Sequence, residues 1–514
     1  MRGRWTCRSR FKGEFFFRRT IRKNERRQNQ KNRWWIAAYE EHPYHILIET
    51  FLILLCLYII LFKRSYNPKK KGFGARPPEK LTEEEIDDLI EEWTPEPLLA
   101  ALPSTNALTT RKDVVIENVL SASRVQVRGV SKPVVNFASY DFLDLATDRS
   151  VKEMAVKTLG EYGCGSCGPR GFYGTFDAHL NLEKALAKFY GTDGAIIYSD
   201  TVSTSSSVVP AFAKRGDLIV CDDGVSSPIL VGLRLSRAKI LYFKHNDMKD
   251  LERVLQKVAK GYAKSGRKLD SQRRFIVVEG LYRDYGDFCP LKTILKFKET
   301  YKYRVVVDDS YGCFACGKNG AGVLDIAGVQ TKDVDIFVGS MATTLGSVGG
   351  FCAGSTEVIA HQRLSGAGYV FSASQPPFTC TSAESALKLV SSKKCEESRA
   401  ELKQNARFFR NELNDTGKFE ISGDKSSDNA PIVYVRLKNV KGDESAQERE
   451  LQRIAENVFR QGILIRRAIF RPMWKLPKKS KSPSAPLPAL RVLVNAAHTR
   501  EDISKLVAAL NSAC

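Results

Sequence analysis

Four stretches of the 514-residue chain place chemistry-bearing side chains close together: GPRGFYGTFDAHLNLE (Gly168–Glu183), FKHNDMKDLE (Phe243–Glu252), VVVDD (Val305–Asp309) and DIFVGSMATTLGSVGGFCAG (Asp335–Gly354). In the first, Gly168, Gly171 and Gly174 permit close backbone approach, and Arg170 offers a planar fork for an anion. In the third, two acids close an apolar run. Asp308 is therefore either a ligand-facing carboxylate at a strand end or an ordinary acid in a turn. The fourth is a glycine-rich turn behind an apolar run, and it contains no lysine.

Other chemistries find little support. Cys164-x-x-Cys167 and Cys313-x-x-Cys316 are too far apart for a zinc ribbon, and none of the six histidines falls in a metal-ligand spacing, so no metal site is expected. Gly317–Gly322 (GKNGAG) lacks the P-loop order, and no G-x-S-x-G elbow occurs.

These stretches need a scaffold, and the apolar pattern supplies one. Gly194–Tyr198, Asp217–Cys221, Lys239–Phe243, Phe275–Val278, Arg304–Val307, Asp335–Val338 and Gly350–Ala353 read as buried strands. Helical stretches such as Met248–Lys260 and Leu291–Thr300 lie between them. Alternation of this kind predicts an α/β fold with a mostly parallel seven-stranded sheet over residues 114–390. After Ser391 come a charged helix, strands at Ile432–Leu437 and Leu490–Val494, and a last helix from Glu501. That rhythm predicts a smaller C-terminal α+β domain over 391–514, with an exposed Lys/Pro/Ser-rich loop between Met473 and Ala489.

The N-terminal region is different. Residues 1–33 carry 13 Lys/Arg against Glu14 and Glu25, a net +11 (13 − 2) out of +22 for the whole chain. The charge thus belongs to a tail expected to be disordered, and no nucleic-acid partner is expected. Ile46–Phe62 is apolar except for Glu49 and Thr50, and is bracketed by Trp34, Trp35, Tyr39 and Tyr44 and by Lys63, Arg64 and Lys69–Lys71. Residues 34–63 are therefore expected to form an interfacial and transmembrane helix in contact with lipid. Counting bases on either side gives opposite orientations depending on whether the tail is included. Free thiols favour a reduced, cytosol-facing body. Residues 64–113 read as a linker with one amphipathic helix, capped by Thr82 and Glu85 and stapled by Leu81 and Ile86.

Taken together and in this order, the four stretches resemble the α-oxoamine synthases, fold-type I pyridoxal-phosphate enzymes that condense an amino acid with an acyl-CoA. The resemblance runs from about Trp93 to the C-terminus. GPRGFYGT, HQRLSGAGYVFSASQPP (His361–Pro377) and the upstream AAYEEHPYHILIE narrow it to a membrane-anchored, lysine-less member. In catalytic members a lysine forms an imine with the cofactor, from a segment like G-T-F-T-K-S-F-G-x-x-G-G. Laid on Gly339–Gly350, that lysine position holds Thr343. Lys332, at the other end of the predicted strand, is about 30 Å away at an extended rise and cannot stand in.

The resemblance also places Ser226 where the family has a ring-stacking histidine, and Tyr311 at a second histidine. Asp308 falls at the pyridine-nitrogen carboxylate, a vestigial contact here. Arg491 matches a substrate-carboxylate arginine, with a structural ion pair the competing reading.

The resemblance implies that pyridoxal phosphate is bound by a lysine-bearing partner subunit. This chain would lend Cys167, Arg170 and Tyr173 to the partner's site, with Ser372 and Ser374 toward the partner's cofactor and Tyr369 beside them. On residue type alone, Cys167 reads instead as a small buried core thiol. The resemblance further implies small accessory and regulatory membrane subunits and a single-pass location in the endoplasmic reticulum membrane.

Overall fold

The computed structural model describes residues 43–62, 82–94, 114–265, 272–423, 427–438, 443–468 and 487–513. The basic tail (1–33) and most of the loop expected between Met473 and Ala489 lie outside these residues.

Contacts divide the chain into a unit ending at Ala101 and a unit beginning at Leu102. In the first, Pro43–Phe62 is one 20-residue helix, about 30 Å long at the α-helical rise. Its described side chains, Phe51 and Leu61 among them, are exposed. Among the described residues no helix is long and apolar enough to cross a membrane. Within this helix the uninterrupted run of described side chains extends only from Ile48 to Tyr58, so the expected membrane span is not confirmed. The capping box forms over Glu83–Glu92: Thr82 Oγ1 accepts from the Glu85 amide at 3.3 Å, and the Glu85 carboxylate accepts from the Thr82 amide at 2.8 Å.

The second unit is built on the expected α/β sheet. After β1 (Ile116–Ser121), β2 (Arg124–Val127) and β3 (Val134–Asn136) come β4 (Gly194–Tyr198), β5 (Leu218–Asp222), β6 (Lys239–Phe243), β7 (Arg274–Glu279), β8 (Arg304–Asp308), β9 (Ile336–Ser340) and β10 (Gly350–Gly354). These last seven form one sheet in the order β4-β10-β9-β8-β7-β5-β6. Only β10 runs antiparallel, to both β4 and β9. Every residue of β5, β7, β9 and β10 is buried, which is why these strands read as continuous apolar runs.

The C-terminal segment forms a four-stranded sheet from β11 (Phe419–Ile421), β12 (Ile432–Leu437), β14 (Arg466–Arg467) and β15 (Leu490–Leu493). Helices Lys393–Asp415, Glu444–Arg460 and Arg500–Ala513 bury apolar residues beside it. Strands β1–β3 escaped the sequence reading. Although they fall within residues 114–390, β3 pairs with β13 (Ile463–Leu464), and Phe137 enters the core of the C-terminal segment.

His498 ties this junction. Its ring stacks on Phe137 with centroids 3.8 Å apart; Nδ1 accepts from the Asn495 amide at 3.0 Å, and Nε2–H donates to the Asn136 carbonyl at 3.0 Å. Burial pushes its pKa down to about 3, so the ring is neutral when folded. A folded pKa below the unfolded 6.5 gives stability that is complete above pH 6.5 and lost as pH falls toward 3. In urea titrations, the stability gap between wild type and His498→Gln should shrink as pH drops below 6.5; a pH-independent gap would contradict the neutral ring.

Candidate functional site

The C-terminal ends of parallel strands are where α/β sheets gather ligand-binding groups, and here β5, β7 and β8 deliver Asp222, Glu279 and Asp308. Asp308 is buried, and burial raises its pKa. Both its oxygens are already served. The Ser205 hydroxyl, from helix Thr201–Phe212, donates to Oδ2. The Ser310 hydroxyl and amide donate to Oδ1 at 2.6 and 3.0 Å. Glu279 accepts from the amides of Ser226 (2.7 Å) and Arg283 (2.9 Å); burial and the Asp308 charge push its pKa up to about 8.

Thr343 sits in the turn after β9, buried, with its hydroxyl donating to the Ser310 carbonyl at 2.9 Å. Ser226 caps helix Ser227–Ser236, and Tyr311 packs on Tyr140 with ring centroids 5.0 Å apart. Lys332 is exposed in the short turn Thr331–Asp333 that precedes β9. The structure thus brings Asp308, Thr343 and Ser310 together and keeps Lys332 away. Pyridoxal phosphate needs an amine for its aldehyde and a free carboxylate for its ring nitrogen. Thr343 offers no amine, and Asp308 already accepts from the Ser205 and Ser310 hydroxyls and the Ser310 amide. These residues do not fit the cofactor.

The glycine-rich loop before helix Asp177–Tyr190 is held from below. The Ser374 amide donates to the Gly168 carbonyl at 2.9 Å, and its hydroxyl donates to the Gly174 carbonyl. The Ser166 hydroxyl donates to the Ser374 carbonyl at 2.9 Å. Ser374 is therefore buried and spent on this loop, whereas Ser372 is half-buried and shares a 2.9 Å hydrogen bond with the Ser199 hydroxyl. Gly174 is obligatory, because a Cβ there would lie 1.8 Å from the Gly168 oxygen.

Arg170 is not the open anion fork its sequence context suggested. It is buried, Nη1 lies 2.9 Å from Glu183 Oε1, and Nε donates to Thr175 Oγ1 at 3.0 Å. Its fork faces inward because Glu183, carried on the following helix, is also buried and needs a cation. Arg363 adds a second contact to Glu183 at 3.4 Å. Among the described residues Arg491 makes no ion pair, and its guanidinium lies 5.3 Å over the Tyr140 ring. Cys167 and Tyr173 project outward, Tyr173 97% exposed, so Cys167 is not a core thiol. Tyr369 is buried and accepts from Arg363 at 3.0 Å.

The FKHNDMKDLE stretch supplies a structural clamp. His245 lies between Asp222 (2.9 Å) and Asp287 (3.0 Å) and stacks on Tyr285 at 3.8 Å. Burial alone would depress its pKa, but the two carboxylates outweigh it and lift the value to about 10. Sequence reasoning missed Ser205, Ser310 and Glu183, whose roles depend on pairings that no local motif encodes.

The family model described as Aminotransferase class I and II matches residues 132–510, and the chain belongs to that fold-type I pyridoxal-phosphate family. Within it, long chain base biosynthesis protein 1c of Oryza sativa subsp. japonica is 38% identical over 91% of this chain and 90% of its own length. Serine palmitoyltransferase 1 of Dictyostelium discoideum is 36% identical over 90% of this chain and 91% of its own. Among solved structures, Sphingomonas wittichii serine palmitoyltransferase superposes with a TM-score of 0.67 at 26% identity, covering 79% of this chain and 94% of that one. An S. paucimobilis serine palmitoyltransferase with bound PLP and myriocin gives the same TM-score and identity over 78% and 92%.

Removing one partner of a buried ion pair costs about 3–5 kcal/mol. Arg170→Met should therefore destabilise the chain by that order in urea unfolding, with much of the loss recovered in Arg170→Met/Glu183→Leu. Gly174→Ala should cost at least about 1–3 kcal/mol through overpacking, and should speed proteolytic cleavage between Gly163 and Phe176 without altering the C-terminal segment.

Proposed function

We propose that this chain is the non-catalytic subunit of a serine palmitoyltransferase heterodimer. Its lysine-bearing partner condenses L-serine with palmitoyl-CoA to give 3-ketosphinganine, CoA and carbon dioxide, the first step of sphingolipid synthesis. The observation that carries this reading is the Thr343–Ser310–Asp308 arrangement. A threonine hydroxyl cannot form an imine, and this one is already committed to a backbone carbonyl. The partner holds pyridoxal phosphate and supplies the electron sink. This chain supplies a wall: the braced loop presents Cys167 and Tyr173 outward, with Ser372 nearby, while Arg170 and Ser374 keep the loop in place.

The same reading assigns the N-terminal helix a tether. Phe51, Ile53, Leu54 and Leu61 on Pro43–Phe62 are all at least 60% exposed, and apolar surface of that extent partitions into lipid. The proposed setting is the endoplasmic reticulum membrane with the body in the cytosol, close to acyl thioester and long-chain product, alongside small accessory and regulatory membrane subunits.

The isolated chain given pyridoxal phosphate, serine and palmitoyl-CoA should yield no ketone and no borohydride-reducible imine band. Thr343→Lys alone should not restore turnover, because Ser226 and Tyr311 still stand at the two positions where the family has histidines. Co-expressed with the lysine-bearing subunit, wild type should support turnover, and Cys167→Trp should lower kcat by about tenfold or more, on the order of 1.4 kcal/mol in the barrier. Full activity with Cys167→Trp would favour a scaffold that completes no site; turnover by the isolated chain would refute the proposal outright.

A further inference from the structure

A cleft of about 480 Å³ opens between the glycine turn Gly317–Gly322 and helix Lys393–Asp415, within the range of small-molecule sites. Its charges do not balance. Lys318, Arg399 and Lys403 line it against Asp325 and Glu396. Asp325 is largely used by the turn itself: its Oδ2 accepts from the amides of Asn319 (2.6 Å) and Ala321 (3.1 Å), and its Oδ1 from the Asn319 side chain at 3.3 Å.

Arg399 is a buried arginine with two nitrogens spent on carbonyls, Nε on Lys318 (3.2 Å) and Nη1 on Val390 (2.8 Å). Among the described residues, no carboxylate is in hydrogen-bond contact with it. Asn429, also lining the cleft, carries a buried Oδ1 acceptor that has no donor among the described residues. Phe288 and Leu402 add apolar wall. A cation without a directly bonded carboxylate, an acceptor lacking a donor and an apolar wall are complementary to one kind of molecule.

We propose that this cleft binds a small amphipathic monoanion: a carboxylate for Arg399 and the two lysines, an adjacent N–H for Asn429, and an apolar body against Phe288 and Leu402. One net positive charge, three cations less two acids, matches a monoanion and not a dianionic phosphate. The site is separate from Thr343 and Asp308, and it stands independently of the heterodimer reading.

N-acetyl-L-phenylalanine has this chemistry, and its methyl ester has the same shape without the charge. With the purified full-length chain, hydrogen exchange of peptides covering 315–326 and 396–403 should slow in the acid. The ester should bind about tenfold more weakly or worse, the expected loss for a charge-assisted hydrogen bond. Lys403→Glu, a surface change, should weaken the acid about threefold or more by reversing one charge, and Asn429→Asp should abolish protection by setting like charges together. Arg399→Gln removes the two carbonyl contacts that position the helix, so Lys403→Glu and Asn429→Asp carry the test. Equal protection by acid and ester, protection surviving Asn429→Asp, or no protection at millimolar acid would each overturn the site.

Discussion

Carboxylates buried at the ends of parallel strands must find donors, and the organisation of the large sheet follows from how Asp222, Glu279, Asp308 and Asp309 find theirs. A buried acid without donors is expensive, costing several kcal/mol even when it stays neutral. Asp309 draws on the amides of Leu281 and Val323 at 2.9 and 2.7 Å. Asp222 takes the Gly224 and Asn246 amides and the His245 ring. Asp308 takes Ser205 and Ser310. Each of these acids is answered by donors within the chain, and those bonds hold the loops after β5, β7 and β8.

The same internal satisfaction separates the two faces of the molecule. At the sheet ends the carboxylates of Asp222, Glu279 and Asp308 accept from donors of this chain, and position 343 holds a hydroxyl. At the loop before helix Asp177–Tyr190, satisfaction is used differently: Arg170 and Glu183 neutralise each other inside, so that aromatic and thiol side chains can stay outside. An inward-facing charge pair is a costly way to hold a loop, since hydrophobic residues of similar volume often do as well. It does fix direction, because two short charge-assisted contacts tolerate less rotation than apolar packing. The loop before helix Asp177–Tyr190 is thus positioned by polar geometry.

How much of this was legible in the sequence depended on whether the signal was local. The seven strands of the large sheet were readable because strands such as β7 and β9, buried on both faces, leave unbroken apolar runs. The missing lysine was readable because glycines on either side of Thr343 fix the register. Strands β1–β3 were not: they are short, and β2 reads RVQV, with polar residues half-buried between valines. The inward turn of Arg170 was hidden because Glu183 comes thirteen residues later, on a helix whose facing is set by packing. Ser205 reaches Asp308 across 103 residues of chain, a pairing that only the sheet order creates. Thr82 and Glu85, three residues apart, formed the box their spacing specified.

Cys167 brings these strands of argument together. It adopts φ 55°, in the left-handed region, where a non-glycine residue gives up about 1–2 kcal/mol. Such strain persists only where neighbours over-determine the backbone. Here Ser166 is bonded to the Ser374 carbonyl on one side, and the Gly168 carbonyl to the Ser374 amide on the other. Two clamps, one on each side, leave Cys167 no relaxed alternative, and its thiol is exposed. A loop needed only to connect two helices would relax by substituting glycine there or releasing one clamp. The strain is thus held in place by the two Ser374 clamps, which keep the Cys167 thiol exposed and deny the loop a relaxed alternative.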